Sequence, residues 1–240
     1  MPNRPLHSLV LALVLAWAGV AAAAPACPAV PAQYLRLPHL RAAIHRGQPV
    51  VIAAIGSSST WGAMAHDIGD SYPAMLQDEL GDRLPDAEIS VINRGIGGED
   101  ALREDRRMAR DVLALRPALV IWQVGANAAM RGESPDRFTA LVEQGLRRLR
   151  AADLDVVLMD NKRSRRLLSA PDNARINAAL AHLARRYRVG LFSRDALMRA
   201  WARAGAAPAG FLAADGMHMN DRGYACTAAA LADSIVAAVK

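Results

Sequence analysis

Val50-Val51-Ile52-Ala53-Ala54-Ile55 runs directly into Gly56-Ser57-Ser58-Ser59-Thr60-Trp61-Gly62. The first half is apolar throughout and rich in β-branched residues, which describes a strand covered on both faces rather than one. The second half is a turn of small residues, so the strand ends at an exposed, tightly turned serine. A serine hydroxyl is a poor nucleophile and needs a general base beside it and donors for a developing oxyanion. The same chain carries Asp215-Gly216-Met217-His218 near its end, and Gly98 and Asn127 in between, each after an apolar run of its own.

Outward from this stretch the pattern alternates. Short apolar runs recur at 89–92, 118–124, 155–159 and 189–192. Between them lie amphipathic helical stretches at about 73–83, 100–114, 135–151, 172–187 and 195–204, and a last one at about 221–238. Ser134-Pro135 supplies an N-cap followed by proline at the first helical position. Regular strand–helix alternation predicts an α/β fold: a single three-layer α/β/α domain over 49–240 with a mostly parallel five-stranded sheet. The proline-dotted stretch before it, within 25–48, is expected to be extended. Sites in such sheets lie beyond the carboxyl ends of the strands. Ser58, the Asn93-Arg94-Gly95-Ile96-Gly97-Gly98 segment and Asn127 all fall there, and Asp215 and His218 precede the last helix.

With these blocks in hand, the chain resembles the SGNH hydrolases, the GDSL esterase/lipase family, over about 49–238. The family's first block, Gly-Asp-Ser followed by a small residue, Thr, any residue and Gly, matches Gly56 to Gly62 and implies Ser58 as nucleophile. Ser57 stands where that block has Asp, and a changed local hydrogen bond is expected there. The resemblance further implies Gly98 and Asn127 as oxyanion donors with the Ser58 N–H, and Asp215 and His218 as the rest of a Ser-His-Asp triad. It implies a flavodoxin-like layout, no cofactor and no metal. A literal Gly69-Asp70-Ser71 also occurs, but no apolar strand feeds it, and Ser71 is read as the N-cap of the helix beginning near Pro73. His66 with Asp67 is a second decoy that lines the cleft at most, and His39, His45 and His182 are read as surface or packing residues.

The formal charge is +6, carried by arginine; the only lysines are Lys162 and Lys240. Most arginines fall on helical faces and no aromatic residues interleave with them, so nucleic acid is not an expected partner. The dense run Lys162-Arg163-Ser164-Arg165-Arg166 follows a strand and is expected near a site, where it would face an anionic glycan or lipid headgroup. Arg4 and His7, an apolar run from Leu9 to Val20 and the alanines 21–24 describe a signal peptide over 1–24, cleaved after Ala22 or Ala24. That run is too short for stable membrane insertion. The expected location is therefore secreted or periplasmic. In such a compartment Cys27 and Cys226 are either a disulfide or two unrelated thiols.

The expected function is an exported serine esterase on carboxylic esters, with a small-molecule or glycan ester as substrate. Short acyl groups, such as O-acetyl on a polysaccharide, are favoured by export and by the lack of a large lid insertion. A lipase or thioesterase on longer chains, a non-catalytic glycan-binding protein on the same fold and an acyltransferase are the alternatives. Oligomeric state is not legible.

Overall fold

Each of the five apolar runs forms a strand in the structure, a computed structural model that describes residues 26–240. The strands are β1 Val50–Gly56, β2 Ile89–Gly95, β3 Leu119–Gln123, β4 Asp155–Met159 and β5 Gly190–Phe192. All four pairings are parallel and the order is β2-β1-β3-β4-β5. The order reverses at β1, which lies between β2 and β3, and ligands in such sheets bind at that reversal.

The helices are α1 Pro38–His45, α2 Ser58–Trp61, α3 Tyr72–Arg83, α4 Ala101–Asp111, α5 Ala126–Arg131, α6 Pro135–Ala151, α7 Arg165–Leu168, α8 Asn173–Tyr187, α9 Arg194–Arg203 and α10 Asp221–Val239. Alternation along each strand divides the core in two. Ile52, Ala54, Leu119, Ile121, Val157 and Met159 face a layer made by α1, α3, α9 and α10. Ala53, Ile55, Val120, Trp122, Val156 and Leu158 face a layer made by α4, α6 and α8. Both faces of every central strand are thus covered, which is why their sequences are apolar without alternation.

Two expectations change here. The segment 25–48 is not extended throughout: Pro38 opens α1, which buries Leu40 and Ala43 on the first layer. Its fixed φ suits the first helical position, where no N–H is needed. Ser71 does stand at the N-cap of α3, yet its side chain makes no capping bond. Its hydroxyl is fully buried and accepts from Asn93 Nδ2 at 3.4 Å.

Cys27 and Cys226 form a disulfide that ties the start of the described chain to α10. Among the described residues no helix is long and apolar enough to cross a membrane. The expected signal peptide, 1–24, lies outside the described residues.

Candidate active site

β1 ends at Gly56, and the chain turns immediately into α2, so Ser58 sits half-buried at the first turn of a four-residue helix above the sheet edge. The turn is pinned from below by Gln123, the last residue of β3. Its Oε1 accepts from Ser57 N–H at 3.2 Å, Ser57 Oγ at 3.0 Å and Thr60 Oγ1 at 3.3 Å. Ser57 is 3% exposed and Gln123 fully buried. The residue that departs from the Gly-Asp-Ser block is therefore a satisfied structural hydroxyl. The close fit also explains Gly95: a Cβ there would stand 2.1 Å from the backbone N of Trp61.

His218 arrives from the loop before α10. Its Nε2 lies 2.9 Å from Ser58 Oγ and its Nδ1 lies 2.6 Å from Asp215 Oδ2. The loop is held by Asp215 itself, whose Oδ1 accepts from the N–H groups of Met217 and His218, each at 2.9 Å. A single carboxylate thus shapes the turn and orients the ring. Burial alone would raise that carboxyl, but the His218 ring and the two backbone donors outweigh it and hold it at about 2. It is therefore ionised at neutral pH.

Gly98 follows β2 in the left-handed region, φ 78°. Its carbonyl accepts from Arg131 Nη2 at 2.7 Å, and Arg131 Nη1 reaches Asp100 at 3.0 Å. Asn127, at the start of α5, donates from Nδ2 to the Glu99 carbonyl at 2.7 Å. One Nδ2 hydrogen remains for another acceptor. The structure thus brings Ser58, His218 and Asp215 into one hydrogen-bonded chain and sets Asn127 against the Gly98–Glu99 turn.

The decoys stay apart. Ser71 is sealed beneath the site, and His66 is exposed, with its backbone N–H on Asp221. His39 pairs loosely with Asp153 at 3.6 Å and His45 Nε2 contacts the Val239 carbonyl.

The basic run after β4 is not the solvent-facing patch expected. Lys162 is 1% exposed and donates to Ser59 Oγ at 3.0 Å, while Arg163 is paired with Asp195. Only Arg165 and Arg166 are exposed. β4 ends inside the molecule, so the first residues beyond it are still interior. Gln123, Lys162 and Arg131 are the site-supporting residues missed by motif reading. Gln123 was legible as the one polar residue in the apolar run 118–124, and Lys162 as one of two lysines in an arginine-rich chain.

Fold and geometry together define a hydrolase of the SGNH type, built on a three-layer α/β/α sandwich. A family model describing the Non-GDSL lipase-like family matches residues 24–240, and the chain belongs to that family. No curated protein matches it. Among solved structures it is similar to a two-domain esterase (CEX) active on acetylated mannans, with 21% identity and TM-score 0.71 over 84% of this chain and 54% of that one. It is also similar to Axe2, an acetylxylan esterase from Geobacillus stearothermophilus (20% identity, TM-score 0.67, 78% of this chain and 94% of that one). A third is the psychrotrophic esterase EstA from Pseudoalteromonas sp. (18%, 0.64, 77% and 96%). The chain spans about half the length of the two-domain esterase. At these identities the likeness is one of fold.

Proposed function

We propose that this protein is an exported serine esterase. Ser58 attacks the ester carbonyl while His218 Nε2 takes its proton; His218 then returns that proton to the leaving alcohol. Asp215 keeps the ring in the tautomer with its proton on Nδ1 and stabilises the imidazolium. The oxyanion is held by the N–H groups of Ser58 and Gly98 and the free Nδ2 hydrogen of Asn127. Water then hydrolyses the acyl-Ser58 intermediate by the same proton route in reverse. The observation that carries this reading is the continuous chain Ser58 Oγ–His218–Asp215, at 2.9 and 2.6 Å, at the sheet's reversal point.

Short acyl groups on a glycan are the proposed substrate class. The acetylated mannan and acetylxylan substrates named for the similar structures support it. The disulfide supports export, since such bonds persist in oxidising compartments. One observation favours longer acyl chains instead: Trp61, Met64, Ile68, Ile96 and Leu168 are exposed large apolar residues on the short helices and loops that follow β1, β2 and β4.

Hydrolysis of p-nitrophenyl acetate by wild type, Ser58→Ala and Ser71→Ala tests the assignment. Loss in Ser58→Ala alone is expected. Loss in Ser71→Ala alone would move the nucleophile, and a folded wild type inactive on all esters but able to bind glycan would make it a binding protein. A nitrophenyl ester series from acetyl to decanoyl decides chain length.

A further inference from the structure

Lys162 is a buried charged residue that the reaction above leaves unused. It lies three residues beyond β4, is 1% exposed, and its Nζ has one protein partner among the described residues, Ser59 Oγ at 3.0 Å. Ser59 is the neighbour of Ser58 in α2 and is 2% exposed, so both ends of that bond are shielded from solvent. Among the described residues, Lys162 makes the one hydrogen bond from the segment beyond β4 to the turn that carries Ser58.

Its surroundings are crowded with charge. Arg194, at the start of α9, is 1% exposed; its Nε donates to the Asp160 carbonyl and its Nη2 finds no partner. The Asp160 carboxylate is already taken by Ser193 Oγ and the N–H groups of Arg194 and Asp195. Tyr72 from α3 and Tyr224 from α10 add hydroxyls engaged with Thr60 Oγ1 and the Ala63 carbonyl, and burial keeps both protonated. Asp215, whose Oδ2 is held by His218, is the carboxylate that favours the ammonium. An ammonium whose single partner is a neutral hydroxyl is poorly compensated in such an interior. Burial first, and repulsion from Arg194 second, pull the Lys162 amine down to about 7, with Asp215 acting in the opposite sense.

We propose that Lys162 is a positioning residue of the esterase site, tethering the nucleophile turn through Ser59 and biasing the Asp215–His218 pair by the charge it carries. The proposal rests on the esterase reading. As an ammonium, Lys162 competes with the His218 imidazolium for the field of Asp215, which disfavours the charge that builds on the ring during attack. As a neutral amine it still holds Ser59 but no longer competes. The tether is thus constant while the field switches off as pH rises through neutrality.

The test is the pH profile of kcat and kcat/KM on p-nitrophenyl acetate for wild type, Lys162→Met and Ser59→Ala, joined to NMR titration of protein labelled with 13C-lysine. Only two lysines need assignment, Lys162 and Lys240. In Lys162→Met the acidic limb of kcat/KM is expected to move to higher pH and kcat to fall about tenfold or more, as loosened positioning does, with KM little changed. Ser59→Ala, which keeps the amine, lowers kcat without that upward move. In wild type one lysine signal titrates near neutrality, and in Asp215→Asn its midpoint falls further because the favourable carboxylate charge is gone. A folded Lys162→Met with a superimposable acidic limb, or a Lys162 signal that titrates together with Lys240, overturns the proposal. Should Lys162→Met not fold, unchanged kcat in Ser59→Ala or an unmoved lysine midpoint in Asp215→Asn overturns it instead. A wild type inactive on every ester overturns the esterase reading and this role together, whereas an active wild type with unmoved variants overturns this role alone.

Discussion

Asn127 and Gln123 both carry a primary amide at the candidate site, yet they do opposite work. Asn127 sits at the surface of the site with one donor committed to Glu99 and one free. Removing an oxyanion donor costs about 10²–10³ in rate. Asn127→Ala is therefore expected to lose that much kcat on p-nitrophenyl acetate while its melting temperature stays near wild type; near-wild-type turnover would remove Asn127 from the oxyanion hole. Gln123 is fully buried, and its Oε1 alone accepts from three donors of the turn. A buried donor stripped of its partner costs about 1–3 kcal/mol. Gln123→Ala should then lower both stability and kcat, seen together by urea unfolding and kinetics. A variant as stable as wild type would mean that the turn holds itself. Ser57 in place of Asp is intelligible at this level: a hydroxyl can donate to the Gln123 carbonyl oxygen, whereas an ionised carboxylate could only accept.

Helices and strands differ in how much of themselves they write into local sequence. The strand runs at 50–55, 118–124, 155–159 and 189–192 lie within a residue or two of β1, β3, β4 and β5. β2 runs on to Gly95 because Asn93, Arg94 and Gly95 pair with Ala54, Ile55 and Gly56, a pairing that polar residues conceal. The long helices were legible from their 3.6-residue periodicity. α2, α5 and α7, which surround the site, are only four to six residues long and too short to show any period. The glycines show the same contrast between local and long-range demands. Gly95→Ala would drive a Cβ into the backbone of α2, whereas a Cβ at Gly81, inside α3 and exposed, meets nothing within 4 Å. Gly81→Ala is expected to stabilise by about 0.5–1 kcal/mol through helix propensity with activity unchanged. Gly95→Ala is expected to lose most activity and several degrees of melting temperature. Equal behaviour of the two in thermal melts would contradict the close approach of β2 and α2.

For the whole molecule, the buried Glu104 and the disulfide offer the clearest handles on stability. Burial raises the Glu104 carboxyl to about 8, although the Trp122 N–H donates to it at 2.7 Å and works the other way. The folded chain therefore keeps a proton that the unfolded chain, at the ordinary 4.5, has lost. Between those two values the folded state binds more protons, so this residue makes stability fall as pH rises from about 4.5 to 8. Glu104→Gln keeps the shape and removes the titration. Its melting temperature relative to wild type should rise from pH 5 to pH 8, and a constant difference would show that Glu104 titrates normally. Reduction of Cys27–Cys226, or Cys27→Ser, is expected to cost about 2–4 kcal/mol in urea unfolding, since it releases a closure spanning 199 residues. A loss of zero would show that the N-terminal segment is held by packing alone.

The layered α/β architecture was readable from the chain, and Ser58, Gly98, Asn127, Asp215 and His218 could be picked out as candidates, because each rests on a local pattern; the structure then brings Ser58, His218 and Asp215 into one hydrogen-bonded chain. A doubly covered strand must be apolar throughout, and a nucleophile turn must be built from small residues. The partners that support those residues came only with the fold. Gln123, Arg131 and Lys162 meet the turns they hold from 66, 33 and 103 residues away respectively. No local pattern records such contacts, because they arise where independently formed elements pack. Lys162 shows this most directly: in a run with three arginines it was expected to face an anionic ligand, and only the depth at which β4 ends made it a buried charge beneath the Ser58 turn.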